Sequence, residues 1–383
     1  MRIGINGAFL RRPGVGVGQV SEHVLRHLLV RPGDEYIIYT EEAFQGHFSW
    51  LSRADITVKP MLPHWRRDDL IRKVWWEKYL LPRVVEQDQC DAFISLYQST
   101  TILPPSIHHT MIVHDIIPKL FPEYLNNARK KLTWWLTERA IRKATNIVTV
   151  SECSRQDVIR SVGVNAEKVK SSLIAVDDIF RVIPSAAEQQ QILHNYDLQS
   201  GYIYHGGGFE VRKNTETLLH AYKQLKDQYI LAGKSVDLPK LVLSGRPQPQ
   251  LAPLVIDIER RIRELDVEQE VRLLGFVSQA DLPAIYSSAV LFVYPSLYEG
   301  FGMPVLEAMC QRTAVVCSSA ASLPEVGGDT VRYCDPNDSN DIAQQIDWLL
   351  SHPEERVALA ERGLERSQQF SWASFVQDIF STL

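Results

Sequence analysis

The stretch Val290-Leu291-Phe292-Val293-Tyr294-Pro295-Ser296-Leu297-Tyr298-Glu299-Gly300-Phe301-Gly302-Met303-Pro304-Val305-Leu306-Glu307 changes character twice. Val290–Tyr294 is an apolar run of β-branched and aromatic residues, of strand length and closed by a proline. Pro295–Gly302 has the composition of a tight loop. Met303–Gln311 returns to helical spacing, with Pro304 in the first turn, where a missing N–H is harmless. Strand, glycine loop and helix in that order form the repeating unit of a parallel, helix-covered sheet. Gly300 and Gly302 let a ligand approach the backbone, and the first-turn amides of the helix suit an anion. Glu299 stands before the helix and Glu307 is read into its first turn. Both carboxylates can then accept hydrogen bonds from hydroxyls at the mouth of a cleft. The alternative makes Glu307 a helix-dipole residue and Glu299 a solvated one.

Working outward, the same alternation covers the chain. Strands are expected at Arg2–Asn6, Tyr36–Tyr39, Ala92–Ser95, His109–Val113 and Asn146–Val150. The pattern restarts at Gly201–Tyr204, Lys240–Leu243, Val271–Leu273, Val290–Val293 and Ala314–Cys317. Helices fit between them, including Gly18–Leu29 and Asn127–Lys143. This predicts an α/β protein with two Rossmann-like domains, residues 1–180 and 181–368. The chain's 383 residues exceed what one core usually supports. Polar residues and Pro184 break the pattern at Ala175–Pro184, where the linker is placed. Residues 369–383 start a fresh amphipathic helix with Ser371 as N-cap, predicted to cross back onto the first domain.

Composition narrows the function classes. Apolar residues make up 45% and charged residues 23% of the chain, which fits a packed protein rather than a disordered one. A net charge of -5 argues against nucleic-acid binding through overall basicity. The five cysteines, Cys90, Cys153, Cys310, Cys317 and Cys334, are odd in number and form no C-x-x-C pair. They suit a reducing, cytoplasmic compartment rather than a disulfide framework or zinc cluster. The N-terminus reads as a strand rather than a signal peptide, and no apolar run approaches the roughly 20 residues of a membrane span.

Three further segments carry chemistry. His205-Gly206-Gly207-Gly208-Phe209-Glu210-Val211-Arg212-Lys213-Asn214 follows a strand and precedes a helix. Its glycines clear space and Arg212 and Lys213 supply fixed positive charge, suited to an anionic leaving group. In Met111-Ile112-Val113-His114-Asp115 an apolar strand ends in polar residues, which in an open α/β sheet point into the ligand crevice. His114 is therefore a candidate for binding or proton transfer. The alternative is a histidine held by Asp115 as a turn lock. Pro13-Gly14-Val15-Gly16-Val17-Gly18-Gln19 follows the first strand too loosely, and with the wrong third spacing, for a dinucleotide fingerprint. A dehydrogenase is rejected on that ground; a glycine loop able to close over phosphate or sugar is expected instead.

Together these segments resemble the family-four retaining glycosyltransferases of GT-B architecture, over nearly the whole chain. The resemblance also rests on Val150-Ser151-Glu152-Cys153-Ser154-Arg155, Leu243-Ser244-Gly245, Leu274-Gly275-Phe276-Val277, Leu323-Pro324-Glu325-Val326 and Phe370-Ser371-Trp372. It implies a nucleotide-sugar donor. Arg212 and Lys213 would clasp the diphosphate, Glu307 the ribose, and Glu299 the sugar hydroxyls. The base would sit by Phe276 and Val277. Phe301, Gly302 and Met303 would approach sugar and phosphate, and His114 the far hydroxyls. Gly16, Gly18, Gly207, Gly245, Tyr298 and Gly300 complete the implied donor-binding set. The resemblance further implies a retaining hexosyltransferase of polysaccharide biosynthesis, with front-face attack and the leaving phosphate as base. UDP-glucose is the first choice of donor and GDP-mannose the second. Many members carry an extra arginine near the place of Gly206-Gly207-Gly208, so more charge compensation falls here on Arg212 and Lys213.

No Asp-x-Asp triplet follows an apolar strand, so neither a metal nor another cofactor is expected. Rival readings are a hydrolysing nucleotide-sugar 2-epimerase and a non-catalytic nucleotide-sugar-binding scaffold. The acceptor is expected to be a saccharide or a lipid-linked saccharide. Residues 64–81, with Trp65, Trp75 and Trp76, and 127–143, with six basic residues around Trp134 and Trp135, suit peripheral contact with the inner face of an anionic membrane. In the alternative, Leu132, Leu136 and Ala140 mark an ordinary core face.

Overall fold

The computed structural model describes residues 1–11, 16–28, 31–42, 55–62, 69–233 and 238–383. They form two compact units. One comprises Met1–Ile174 with Ser371–Leu383, the other Ala175–Phe370. The division falls after Ile174 rather than at residue 180. Phe180 is buried, its ring 6.1 Å from that of Tyr286, and its carbonyl accepts from Gln311 Nε2 at 2.6 Å, which ties the intervening segment to the second unit.

The first unit holds a parallel sheet of β1 (Arg2–Asn6), β2 (Glu35–Thr40), β3 (Ile56–Pro60), β4 (Ala92–Ser95), β5 (His108–Val113), β6 (Asn146–Thr149) and β7 (Val169–Ser171). Its order is β3-β2-β1-β4-β5-β6-β7. The second unit holds β8 (Tyr202–His205), β9 (Leu241–Ser244), β10 (Val271–Gly275), β11 (Ala289–Tyr294), β12 (Val315–Ser318) and β13 (Arg332–Cys334), ordered β10-β9-β8-β11-β12-β13. Each order reverses beside its first strand, between β1 and β4 and between β8 and β11. Outside the carboxyl ends of the strands at such a reversal, an open α/β sheet has its ligand crevice.

The sequence makes these strands because side chains alternate between two covered faces. In β11, Leu291 and Val293 join Leu241 and Leu243 against Leu218, Tyr222 and Ile346 of the helices Thr215–Leu231 and Ser339–Ser351. Phe292 and Tyr294 face the other way. The Phe292 ring lies 5.1 Å from that of Tyr286, and its stack on Tyr294 has centroids 5.6 Å apart. This aromatic layer supports the end of β11 at which the glycine loop begins.

The C-terminal helix, Trp372–Phe380, belongs to the first unit, and Ser371 Oγ caps it by accepting from the Ser374 amide. Trp372 stacks on His23 with centroids 4.7 Å apart, and Asp378 takes hydrogen bonds from Lys170 at 2.7 Å and Ser172 at 2.6 Å. Strands β3, β7 and β13 were not predicted. All three lie at sheet edges, so their sequences lack a continuous apolar run.

Candidate functional site

The carboxyl ends of β8 and β11 bring the two glycine segments of the second unit together. Lys213 closes a short 3-10 turn, Val211–Lys213, and Asn214 follows in the left-handed conformation, with φ 62°. Asn214 Nδ2 donates to the Pro295 carbonyl at 2.9 Å and the Pro336 carbonyl at 2.6 Å, while the Leu297 backbone amide donates to the Arg212 carbonyl at 2.8 Å. These bonds fix the basic turn against the loop Pro295–Gly302.

The result is a buried charge cluster centred on Glu299. Its Oε1 accepts from Lys213 Nζ at 2.7 Å, Arg212 Nη1 at 2.9 Å, Tyr294 Oη at 2.8 Å and Ser296 Oγ at 2.8 Å. Lys213 Nζ also donates to the Tyr294 hydroxyl. Burial alone would raise the Glu299 pKa, but the charges of Lys213 and Arg212 outweigh it and hold the group at about 2. Glu299 is therefore a fixed anion and Lys213 its counter-ion. Arg212 is shared, since its Nε donates to Glu210 at 2.8 Å.

Glu307 has the opposite electrostatics. It lies in the second turn of Met303–Cys310, not the first, and the dipole argument does not apply to it. It is buried and accepts from Tyr286 Oη at 2.8 Å. Burial dominates over that bond and the Lys213 charge, raising its pKa to about 7. The expected anion site at the helix start is also narrower than read. Pro304 lacks an N–H, and the Val305 and Leu306 amides turn back to the Gly302 carbonyl at 3.0 and 3.3 Å.

Backbone shape accounts for two glycines. Gly302 has φ 115°, and a Cβ there would lie 2.6 Å from Leu323 Cδ2. Gly245 has φ 150°, and its Cβ would fall 2.6 Å from the Gly208 Cα, so the loops after β8 and β9 touch through glycine. Gly207 opens onto the cluster, its Cβ position 3.5 Å from Tyr294 Oη and 3.8 Å from Lys213 Nζ. Phe276, at the end of β10, is 62% exposed with the Arg246 guanidinium 4.6 Å from its ring centroid, whereas Val277 is buried. The rings of Tyr298 and Phe301 are buried, the latter 6.0 Å from Phe370; their backbone carbonyls accept from Arg212 and Ser322 respectively. Met303 is half-buried beside Gly302, and Gly300 lies in the loop just before it.

Gly16, Gly18 and His114 belong to the first unit. Gly16 and Gly18 lie in the helix Gly16–Arg26 rather than in a loop, and Pro13–Val15 are outside the described residues, as is Trp65. His114, at the end of β5, is buried, which lowers its pKa to about 4. Its Nε2 lies 3.0 Å from the Leu96 carbonyl and must carry the proton, so Nδ1 is the acceptor nitrogen. Asp115 does not hold His114. Its carboxylate accepts from the Ile117 amide at 3.0 Å and so caps the turn that follows β5.

Sequence reasoning passed over Tyr286, Tyr294, Ser296, Glu210 and Asn214. The two tyrosines sit in apolar runs where the ring hides the hydroxyl. Ser296 and Asn214 lie inside the quoted segments, and that membership is the signal they offered.

Comparison with known proteins fits this geometry. Residues 16–171 match the family model described as Glycosyltransferase Family 4, and residues 190–366 the one described as Glycosyl transferases group 1. The chain belongs to this family of glycosyltransferases and has the GT-B fold. Among similar proteins is the O-antigen chain mannosyltransferase B of Escherichia coli, 38% identical over 68% of this chain and 65% of the relative. Another is the serotype-specific mannosyltransferase WbdA of the same species, 32% identical over 69% of this chain but only 32% of that protein. The chain thus spans less than two thirds of the length of these relatives. A solved glycosyltransferase-fold structure, Anabaena Alr3699/HepE in complex with UDP and glucose, superposes with TM-score 0.72 at 18% identity, over 100% of this chain and 99% of that one.

Proposed function

We propose that this chain transfers mannose from a nucleotide-activated donor to a saccharide or lipid-linked saccharide acceptor during assembly of a bacterial O-antigen polysaccharide. The transfer retains anomeric configuration, requires no metal, and takes place on the cytoplasmic side of the membrane. The donor preference reverses the order expected from sequence, with GDP-mannose ahead of UDP-glucose, because the O-antigen chain mannosyltransferase B and WbdA, 38% and 32% identical to this chain, are named as mannosyltransferases.

The observation that carries this reading is the Lys213–Arg212–Glu299–Tyr294 cluster at the strand-order reversal of the second sheet. A departing nucleoside diphosphate gains negative charge, and preorganised cations in a buried site oppose that charge without reorganisation. With four donors gathered on Oε1, Glu299 offers Oε2 to a sugar hydroxyl and a fixed negative charge to a cationic anomeric carbon. Glu307, at about pKa 7, can accept from ribose hydroxyls when ionised. His114 supplies a neutral acceptor nitrogen rather than a titrating base. Isothermal titration of GDP and UDP in the presence of a chelator tests the reading. Tighter binding of GDP without metal, lost in Lys213→Ala, is the expected result. Failure of GDP to bind, tighter binding of UDP, or binding only with a divalent cation would refute it.

A further inference from the structure

The loops that follow β9 and β10 carry a charged group that the Glu299 cluster does not use. The Gly245 amide donates to the Gly275 carbonyl at 2.8 Å, so the next residues of the two loops, Arg246 and Phe276, stand side by side at the carboxyl edge of the second sheet. The Arg246 guanidinium lies 4.6 Å from the Phe276 ring centroid, and both side chains are exposed. Among the described residues Arg246 forms no ion pair and no hydrogen bond. The surrounding sequence leaves it so. Pro247-Gln248-Pro249-Gln250 holds no carboxylate, and Asp281, the first acidic residue after Phe276, already accepts from Tyr196 Oη at 2.8 Å and Ser278 Oγ at 2.7 Å.

The pair is continuous with the donor site. Backbone contact runs from the Gly208 amide to the Ser244 carbonyl at 3.3 Å and on from Gly245 to Gly275, across the ends of β8, β9 and β10. Neighbouring strands lie about 4.8 Å apart, so β10 is about 10 Å from β8, whose loop carries Arg212 and Lys213. At Gly208 and Gly275 a Cβ would meet nothing within 4 Å, so this path is open above the backbone. A second connection runs through side chains. Glu307 accepts from Tyr286 Oη at 2.8 Å, and the Tyr286 ring lies 5.1 Å from that of Tyr204. The Tyr204 hydroxyl shares a 2.6 Å hydrogen bond with Ser244 Oγ, one residue before Gly245. With the diphosphate on Lys213 and the ribose on Glu307, a base that extends over β9 toward the sheet edge meets Arg246 and Phe276.

The chemistry of an arginine here selects among bases. A guanidinium presents its N–H donors as a rigid planar fork, and contact with an aromatic ring steadies it. Guanine sets two acceptors, O6 and N7, side by side, and they match that fork. Adenine sets an amino donor beside N7, and uracil sets an N–H donor beside each carbonyl oxygen, so neither offers the paired acceptors. We propose that Arg246, steadied by the Phe276 ring, hydrogen-bonds O6 and N7 of guanine and is the residue that selects a guanosine diphosphate sugar as donor. This rests on the donor assignment made above and names the group that enforces it.

The test is isothermal titration of GDP, 7-deaza-GDP and UDP into the full chain and its Arg246→Ala and Arg246→Lys variants. Arg246 is exposed, so both variants should melt like the wild type. Arg246→Ala should weaken GDP binding about 5- to 150-fold, the worth of one bidentate base contact, and leave UDP binding unchanged. In 7-deaza-GDP a C–H replaces N7. It should bind the wild type more weakly than GDP does, and bind Arg246→Ala as tightly as GDP does. Arg246→Lys keeps the charge without the fork and should lose most of the preference for GDP. Equal weakening of GDP and UDP in Arg246→Ala, 7-deaza-GDP binding the wild type as tightly as GDP, or full GDP preference in the lysine variant would each overturn the proposal, since each points to general charge attraction. A wild type that prefers UDP would defeat the donor assignment and this inference with it. A GDP preference that survives Arg246→Ala would defeat the inference alone.

Discussion

Replacing Glu307 with glutamine should stabilise the protein at alkaline pH while weakening its hold on donor. In the folded chain burial holds the Glu307 pKa at about 7, against an ordinary value of 4.5. The folded state therefore binds the proton more tightly than the unfolded one. The stability tied to that proton is fully present below pH 4.5 and is lost as pH rises through 7. The loss is about 3 kcal/mol at pH 8 and under about 1 kcal/mol at pH 5. Glutamine carries no charge and still presents an oxygen to Tyr286 Oη, which lies 2.8 Å from the carboxylate, so the substitution removes the pH-dependent penalty and keeps the contact. For a unit of this size, 1 kcal/mol shifts the midpoint by roughly 2–4 °C. The melting transition containing Ala175–Phe370 should then rise by about 6–12 °C at pH 8 and by about 3 °C or less at pH 5, measured by calorimetry on both proteins. Nucleoside diphosphate affinity should fall in the same variant, because an ionised acceptor has been replaced. A Tm difference independent of pH, or a variant less stable than wild type at pH 8, would refute the reasoning.

Lys213→Ala should abolish transfer yet leave the fold intact by circular dichroism. Arg212, Tyr294 and Ser296 still reach Glu299 Oε1, so its charge is not stranded. Near-normal turnover would remove the cluster from catalysis. Tyr294→Phe keeps the stack on Phe292 but removes a hydrogen bond to a charged group. A loss of about 1.5–3 kcal/mol predicts kcat lowered roughly 10- to 150-fold with little change in nucleoside diphosphate affinity. Gly302→Ala forces a side chain into φ 115° and against Leu323. It should lower Tm by several degrees, about 1–3 kcal/mol, and weaken donor binding, as read by thermal shift with and without GDP.

How much of this was legible in the sequence depended on whether a residue's environment followed from its neighbours in the chain. The central strands were, because β8, β9, β11 and β12 are buried on both faces and read as unbroken apolar runs. The edge strands β3, β7 and β13 were not, since half-exposed sequences such as Val169–Ser171 carry no such mark. Glu299, Arg212 and Lys213 stood out by type and spacing. Their mutual contact came only with tertiary structure, as did the hydroxyls of Tyr294 and Ser296 beneath them. Glu307 was recognised as a carboxylate of interest but misplaced by one turn: the helix starts at Met303 as read, and Glu307, its fifth residue, already lies in the second turn. The alternative reading of 127–143 puts Leu132 on a core face with Leu136 and Ala140. The helix instead turns Trp134 inward, and the rotation places Leu132 with the basic side chains outside.

The most direct measurement is to incubate the chain with GDP-mannose and a mannose-terminated saccharide in the presence of a chelator, and to read the product's anomeric proton by NMR. An α-linked mannosyl product from the α-linked donor, formed without added metal and absent with Lys213→Ala, is the expected result. A β-linked product would contradict retention. No product from GDP-mannose, with efficient transfer from UDP-glucose under the same conditions, would contradict the mannosyl assignment itself.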